Sequence, residues 1–177
     1  MGRIAPLVVG VADLLHHPGA RRHEHLEAPL REVRVLGSCV PDDAMVSVDA
    51  VLERVSEGVV VSAHTTAAWA GECRRCLGPV GGELTAEFRE LFERHATEGE
   101  TYPLVHETID LEAPVREVLM LELPLAPLCA PDCLGICPTC GVDRNERSCE
   151  CPPPAADPRW AALDALRGEE ALRGDEG

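Results

Sequence analysis

Six of the nine cysteines fall between Cys129 and Cys151, separated by three, three, two, eight and one residues. That density constrains the fold more than any other feature, because so many small thiols in so short a stretch cannot form an ordinary apolar core. They suit a site in which thiolates from tight turns converge on one ion. The most specific piece is Cys137-Pro138-Thr139-Cys140-Gly141. Two cysteines two residues apart can put both sulfurs on one ion, and a glycine after them lets backbone N–H groups turn towards the sulfurs. A second CxxC, Cys73-Arg74-Arg75-Cys76, lies upstream.

The run from Ile4 to Leu15 is followed by His16, His17, Arg21 and Arg22 and not by a small-residue cleavage site, so it reads as part of the fold. No segment reaches the roughly 20 apolar residues that a membrane helix needs. The expected location is the cytoplasm, where clustered thiols stay reduced and bind metal more often than they pair. Zinc is the expected ion. The conservative expectation is one site using Cys137 and Cys140 with two of Cys129, Cys133, Cys149 and Cys151. With Cys39 set aside, eight cysteines remain, which also allows two four-cysteine sites: Cys73, Cys76, Cys129 and Cys133 on one ion and Cys137, Cys140, Cys149 and Cys151 on another.

Strand signals dominate the rest of the chain. In Met45 to Val55, Val46, Val48, Ala50 and Leu52 alternate with Ser47, Asp49 and Val51, a period of two that marks a half-buried strand. Glu32 to Cys39 and Val59 to Trp69 also read as strands. Ser56-Glu57-Gly58 reads as a three-residue hairpin loop with Gly58 left-handed. Val80, Gly82, Leu84, Ala86, Phe88 and Phe92 sit on alternate positions, which favours one long strand over a helix. Pro6 to Gly10 and Arg21 to Leu26 are strand-like, with a helical turn over Ala12 to His17. His23 and His25 read as a solvated strand face. Thr97 to Thr108 reads as a mobile polar excursion. A helix then runs over about 111–122, with Asp110 as its cap and Pro124 beyond its end.

The expected fold class is therefore α+β: a β-rich, antiparallel, barrel-like domain over 1–125 with a few helices, and a cysteine-rich zinc knuckle over 126–151. A Pro linker and short docking helix carrying Trp160, Leu163 and Leu166 follow over 152–167, and a disordered acidic tail over 168–177.

The 31 acidic residues against 16 basic ones give a net charge of −15, which argues against a free-standing phosphate-binding surface and for a protein partner. Ser/His/Asp, paired-carboxylate, P-loop and dinucleotide patterns are all absent from the sequence, so an enzyme and a small-molecule substrate are not expected. Arg74 and Arg75 admit a role as partner contacts. They also sit between two thiols whose pKa they would lower, which leaves a thiol–disulfide reading of the CxxC open.

Several segments occur together in order: Pro18-Gly19, Ser56-Glu57-Gly58-Val59, GECRRCLGPV, EFRELF, IDLEAPVREVLMLELPLAPLC, DCLGICPTCG, CEC and DPRWAALDAL. Together they closely resemble the YceD-like family, the large ribosomal RNA subunit accumulation proteins, formerly a domain of unknown function. The resemblance covers almost the whole chain. It implies a cytoplasmic bacterial protein, with a plastid branch, that supports accumulation of large-subunit ribosomal RNA and ribosome assembly without catalysis. A ribosome-assembly protein or the large-subunit RNA itself is the implied partner, and a zinc-dependent nucleic-acid-binding module is the alternative. Some members keep the first CxxC without the C-terminal cysteines, which makes Cys73 and Cys76 candidates for a role of their own.

Overall fold

Alternating small apolar and polar residues build most of the fold as strands. The computed structural model describes residues 7–152 together with Asp157 and Arg159. The expected docking helix at Trp160, Leu163 and Leu166 and the acidic tail 168–177 lie outside the described residues. Chain order is β1 (Val8–Gly10), α1 (Ala12–Leu15), β2 (Arg21–Pro29), β3 (Ser38–Cys39), β4 (Met45–Arg54), β5 (Gly58–Glu72), β6 (Pro79–Glu93), β7 (Tyr102–Val105), β8 (Thr108–Asp110) and α2 (Glu112–Glu122). The described residues form two compact units, one ending at Cys133 and the other beginning at Leu134.

The first unit is mostly β: a curled, half-barrel sheet of eight strands in the order β1-β8-β7-β6-β5-β4-β2, with β3 pairing to β5, and two helices. Pairing is antiparallel except between β6 and β7, where Phe92 faces Tyr102 in parallel register. The backbone of the sheet is the β5–β6 hairpin, paired from Gly58↔Glu93 to Glu72↔Pro79. Its far end is the CxxC.

Period two decides which side chains go inside. Val46, Val48, Ala50 and Leu52 of β4 are buried, as are Val59, Val61, Ala63 and Ala67 of β5 and Leu84, Ala86 and Phe92 of β6. Thr65 joins that face because its hydroxyl donates to the Ala86 carbonyl at 3.1 Å, so its burial leaves no orphaned polar group. Helix α2 packs on β6 and β5 through Val115 and Leu119, flanked by Leu111 and Leu123. Each such fully buried side chain contributes on the order of 1.5–3 kcal/mol. The N-cap of the helix is Leu111 and not the expected Asp110, which lies one residue earlier and whose carboxylate accepts the Glu112 N–H at 2.9 Å.

At the open side of the sheet, Arg22 of β2 reaches across to the β1–α1 corner. Its guanidinium donates to the Gly10 carbonyl and to Asp13 Oδ1, both at 2.6 Å. Hydrogen bonding to Arg22 holds the Asp13 carboxyl below its ordinary pKa.

Three other expectations need correction. Glu32 to Cys39 is not a strand over its length; only Ser38–Cys39 is. Val33 and Val40 are both buried, and the bonds Val40 N–H to Val33 O and Val35 N–H to Ser38 O fold the stretch into a tight loop. Gly58 is not left-handed, and the turn closes through Val55 N–H to Gly58 O at 3.0 Å. Glycine is required there for a different reason: a Cβ would lie 2.0 Å from the Phe92 carbonyl oxygen on the paired strand. Finally, Thr97 to Thr108 is not all excursion, because it contains β7 and its turn into β8. That two-residue turn, His106-Glu107, has φ of 49° and 61°, the left-handed pair that matches strand twist in a tight hairpin.

The second unit is held by short-range bonds. Ile136 bridges Asp143, Cys137 N–H donates to Val142 O at 2.8 Å, and Gly141 turns with φ of 74°. Asn145 Oδ1 accepts the Leu134 N–H at 2.7 Å, which ties the following loop back to the unit's start.

Candidate metal centres

The β5–β6 hairpin ends in a knuckle built by Cys73 to Gly78. Cys73 N–H donates to Gly78 O at 2.8 Å and Leu77 N–H to Cys73 O at 2.9 Å, with Leu77 at φ 61° completing the tight turn. This winding aims backbone N–H groups at sulfur: the Arg75 N–H lies 3.5 Å from Cys73 Sγ. The chain beyond α2 returns to the same place. Arg74 N–H donates to Pro127 O at 2.9 Å, and a turn closed by Cys133 N–H to Ala130 O follows.

Cys73, Cys76, Cys129 and Cys133 thereby converge, with all four sulfurs within 4.8 Å of one another. Cys73 Sγ lies 3.8 Å from Cys133 Sγ, and Cys76 Sγ lies 3.6 Å from Cys129 Sγ. In the second unit Cys137, Cys140, Cys149 and Cys151 form a second group within the same limit. Among the described residues no other His, Cys, Asp or Glu cluster meets it. His23 and His25 belong to neither group. His25 instead bonds Asp49 Oδ1 at 2.7 Å across β2 and β4, which raises its pKa. Cys39 is also outside both groups.

The geometry fits a tetrahedral ion. Zn–S bonds of about 2.3 Å put the sulfurs of a tetrahedron roughly 3.8 Å apart, the separation seen between Cys73 and Cys133. A disulfide would need about 2.05 Å, and all nine cysteines are free thiols. Burial is uneven. Cys73, Cys133 and Cys137 are buried, Cys129 and Cys140 are exposed, and Cys76, Cys149 and Cys151 are intermediate. An ion in either group would thus be shielded on one side and reachable from the other.

Protonation follows the same asymmetry. Backbone N–H groups of Cys76 and Cys129 pull the Cys73 thiol down to about 6, and those of Cys140 and Thr139 do the same for Cys137. Cys129 is pushed up to about 12 by its hydrogen bonds with Cys133 and Cys76, and Cys151 up to about 12 by Cys140 and by burial. In each group, one thiolate forms readily and others resist a second negative charge. A divalent cation removes that resistance by balancing the charge.

The grouping differs from a single site drawn from the six C-terminal cysteines and coincides with the two-group arrangement that the sequence also allows. Cys129 and Cys133 are joined to Cys73 and Cys76, while Cys149 and Cys151, one residue apart, fall in one group with Cys137 and Cys140. Residue spacing carries no signal for the first partnership, because it depends on the hairpin end meeting the chain after α2. The two arginines of the knuckle also differ. Arg74 is exposed, with no side-chain partner among the described residues. The Arg75 guanidinium donates to the carbonyls of Cys133 at 2.9 Å and Pro131 at 3.3 Å.

A family model described as large ribosomal RNA subunit accumulation protein YceD matches residues 61–167, the stretch that contains both cysteine groups. An uncharacterised protein of Mycobacterium tuberculosis is 37% identical over 189 residues, covering 97% of this chain and 87% of the relative. The large ribosomal RNA subunit accumulation protein YCED homolog 1, chloroplastic, of Zea mays is 38% identical over 53 residues, 29% of this chain and 18% of that one. Its Arabidopsis thaliana counterpart is 30% identical over 76 residues, 43% of this chain and 23% of that one. No solved structure matches. The family match and the near full-length similarity to the mycobacterial relative identify this chain as a member of the YceD family.

Proposed function

We propose that this protein is a non-enzymatic factor supporting large-subunit ribosomal RNA accumulation and ribosome assembly, and that each cysteine group holds one zinc ion. The observation that carries the reading is coincidence: the family match over residues 61–167 spans all eight clustered cysteines. What is named in the family is thus bound up with the segment that builds the metal groups. Zinc suits four sulfur ligands and brings no redox chemistry of its own, so it serves here to hold turns in place.

The net charge of −15 favours a protein partner over direct contact with a phosphate backbone. Arg74 offers an exposed, uncommitted guanidinium at the knuckle, suited to acidic or carbonyl groups on that partner. Among the described residues no helix is long and apolar enough to cross a membrane, and free thiols of this kind are maintained in the reducing cytoplasm.

Depletion in the native host tests the reading. Large-subunit ribosomal RNA and 50S-type particles should fall on sucrose gradients. They should recover with the wild-type gene and not with Cys73→Ser. A normal gradient after depletion would refute the reading.

A further inference from the structure

The CxxC knuckle places two arginines side by side, and their surroundings separate them. Arg74 uses its backbone N–H to meet Pro127 O at 2.9 Å, while its side chain points into solvent. Arg75 works in both directions. Its backbone N–H approaches Cys73 Sγ at 3.5 Å, and its Nη1 reaches the carbonyls of Cys133 and Pro131 at 2.9 and 3.3 Å. Cys73 and Cys133 are the two buried sulfurs of the first group. A single residue therefore meets the Cys73 sulfur through its main chain and the main-chain carbonyl of Cys133 through its side chain.

We infer that Arg75 is the positioning residue of the first metal centre: its guanidinium pins the Pro131–Cys133 turn against the knuckle, so that Cys133 presents its sulfur to Cys73. This rests on the reading that these four cysteines hold an ion. The segment that delivers Cys129 and Cys133 follows α2 and belongs to no strand. Its backbone ties to the knuckle include the Arg74–Pro127 bond, six residues before Cys133, and the Cys129 N–H on the Cys73 sulfur, four residues before it. Without a tie at the Pro131–Cys133 turn itself, the residues between Cys129 and Cys133 would have to lose their freedom when metal binds. Arg75 supplies that tie in advance.

Charge works in the same direction. Four thiolates around a divalent ion carry a net charge of −2, and a guanidinium at the edge of the group offsets part of it. One nitrogen, Nη1, serves both carbonyls, and the rigid guanidinium plane behind it holds that nitrogen in place with little loss of side-chain freedom. Sequence alone makes both arginines look like contacts for a partner. Both are exposed, but only the Arg74 side chain is without a partner among the described residues.

The test uses the full-length protein as wild type, Arg74→Ala, Arg75→Ala and Arg75→Lys. Each is stripped with chelator under reducing conditions and titrated with cobalt(II), whose thiolate charge-transfer and d–d bands report tetrahedral sulfur sites. Wild type and Arg74→Ala should fill two centres. Arg75→Ala should fill the Cys137 centre normally and bind the other about 10–100-fold more weakly, the range for loss of an outer-shell partner. Arg75→Lys, which keeps the charge, should lie between them. In the metal-free proteins, iodoacetamide should label Cys133 several-fold faster in Arg75→Ala than in wild type, with Cys137 as internal control. Retained exchange protection in the β5–β6 ladder shows that the sheet is intact.

Equal affinity at both centres in wild type and Arg75→Ala would overturn the inference, as would equal labelling of Cys133. A wild type that takes up no cobalt overturns the metal reading itself, and this role falls with it. That outcome is distinct from failure of the arginine variant alone.

Discussion

Cys73 and Cys133 lie sixty residues apart in the chain, yet their sulfurs stand 3.8 Å apart. Cys73 sits at the tip of the long hairpin and Cys133 at the end of the first compact unit, so an ion shared by them clips the chain after α2 to the sheet. Removing metal should release that clip and leave the sheet standing. Hydrogen exchange after chelation should accelerate at the amides of Arg74 and Cys133 and stay slow in the β4–β5–β6 ladder. Uniform acceleration throughout the sheet would show that the ion supports the whole fold and not this attachment.

Cys137→Ser should act locally. Its group is confined to the second unit, whose structure otherwise rests on a few short-range hydrogen bonds. Binding free energy for such sites is on the order of 10–16 kcal/mol, and it is folding free energy for the segment that supplies the ligands. The variant should lose one ion per chain and amide protection across residues 134–152. The thermal unfolding midpoint of the first unit should not move.

Gly58→Ala should destabilise the first unit by about 1–3 kcal/mol, the usual cost of forcing extra volume into a packed site. A Cβ at that position would lie 2.0 Å from the Phe92 carbonyl oxygen, which belongs to a paired strand and cannot swing aside. Gly10→Ala is the matched control, since a Cβ there meets nothing within 4 Å. Its effect should stay within about 0.5 kcal/mol. Denaturant titration of both variants measures the difference, and equal midpoints would contradict the close approach.

Glu90 should make the sheet more stable in mild acid. Its pKa is raised by burial and then by the nearby Glu117 carboxylate, which also accepts the Tyr102 hydroxyl at 2.7 Å. A carboxyl with a raised folded pKa favours folding fully below its unfolded pKa near 4.5. That contribution is lost as pH rises through the folded value. Glu90→Gln, neutral at every pH, should therefore raise the melting temperature at pH 7, and the gain should vanish towards pH 4. A gain that is the same at pH 4 and pH 7 would exclude this origin.

Much of the sheet was legible because period two is a local signal. Val46 to Leu52 and Leu84 to Phe92 declare their buried face by alternation alone. The short elements were not legible. β7 and β8 meet through His106-Glu107, which lacks the glycine or asparagine that usually marks a left-handed turn, and Val33 and Val35 alternate like a strand while folding as a loop. At the candidate centres, the ligand residue type and the CxxC units could be read from spacing, and so could eight as the number of cysteines at issue. The partition into two groups of four could be written down from the sequence but not chosen over a single C-terminal site, because the union of Cys73 and Cys76 with Cys129 and Cys133 is made by tertiary structure. For the same reason Arg75 looked outward in the sequence.

Zinc K-edge X-ray absorption on the purified full-length protein, combined with its zinc content per chain, tests the two-centre claim most directly. Two zinc ions per chain, each with four sulfurs at about 2.3 Å and no nitrogen or oxygen neighbour, are predicted. A metal-free protein, one ion per chain, or a mixed sulfur and oxygen shell would contradict it.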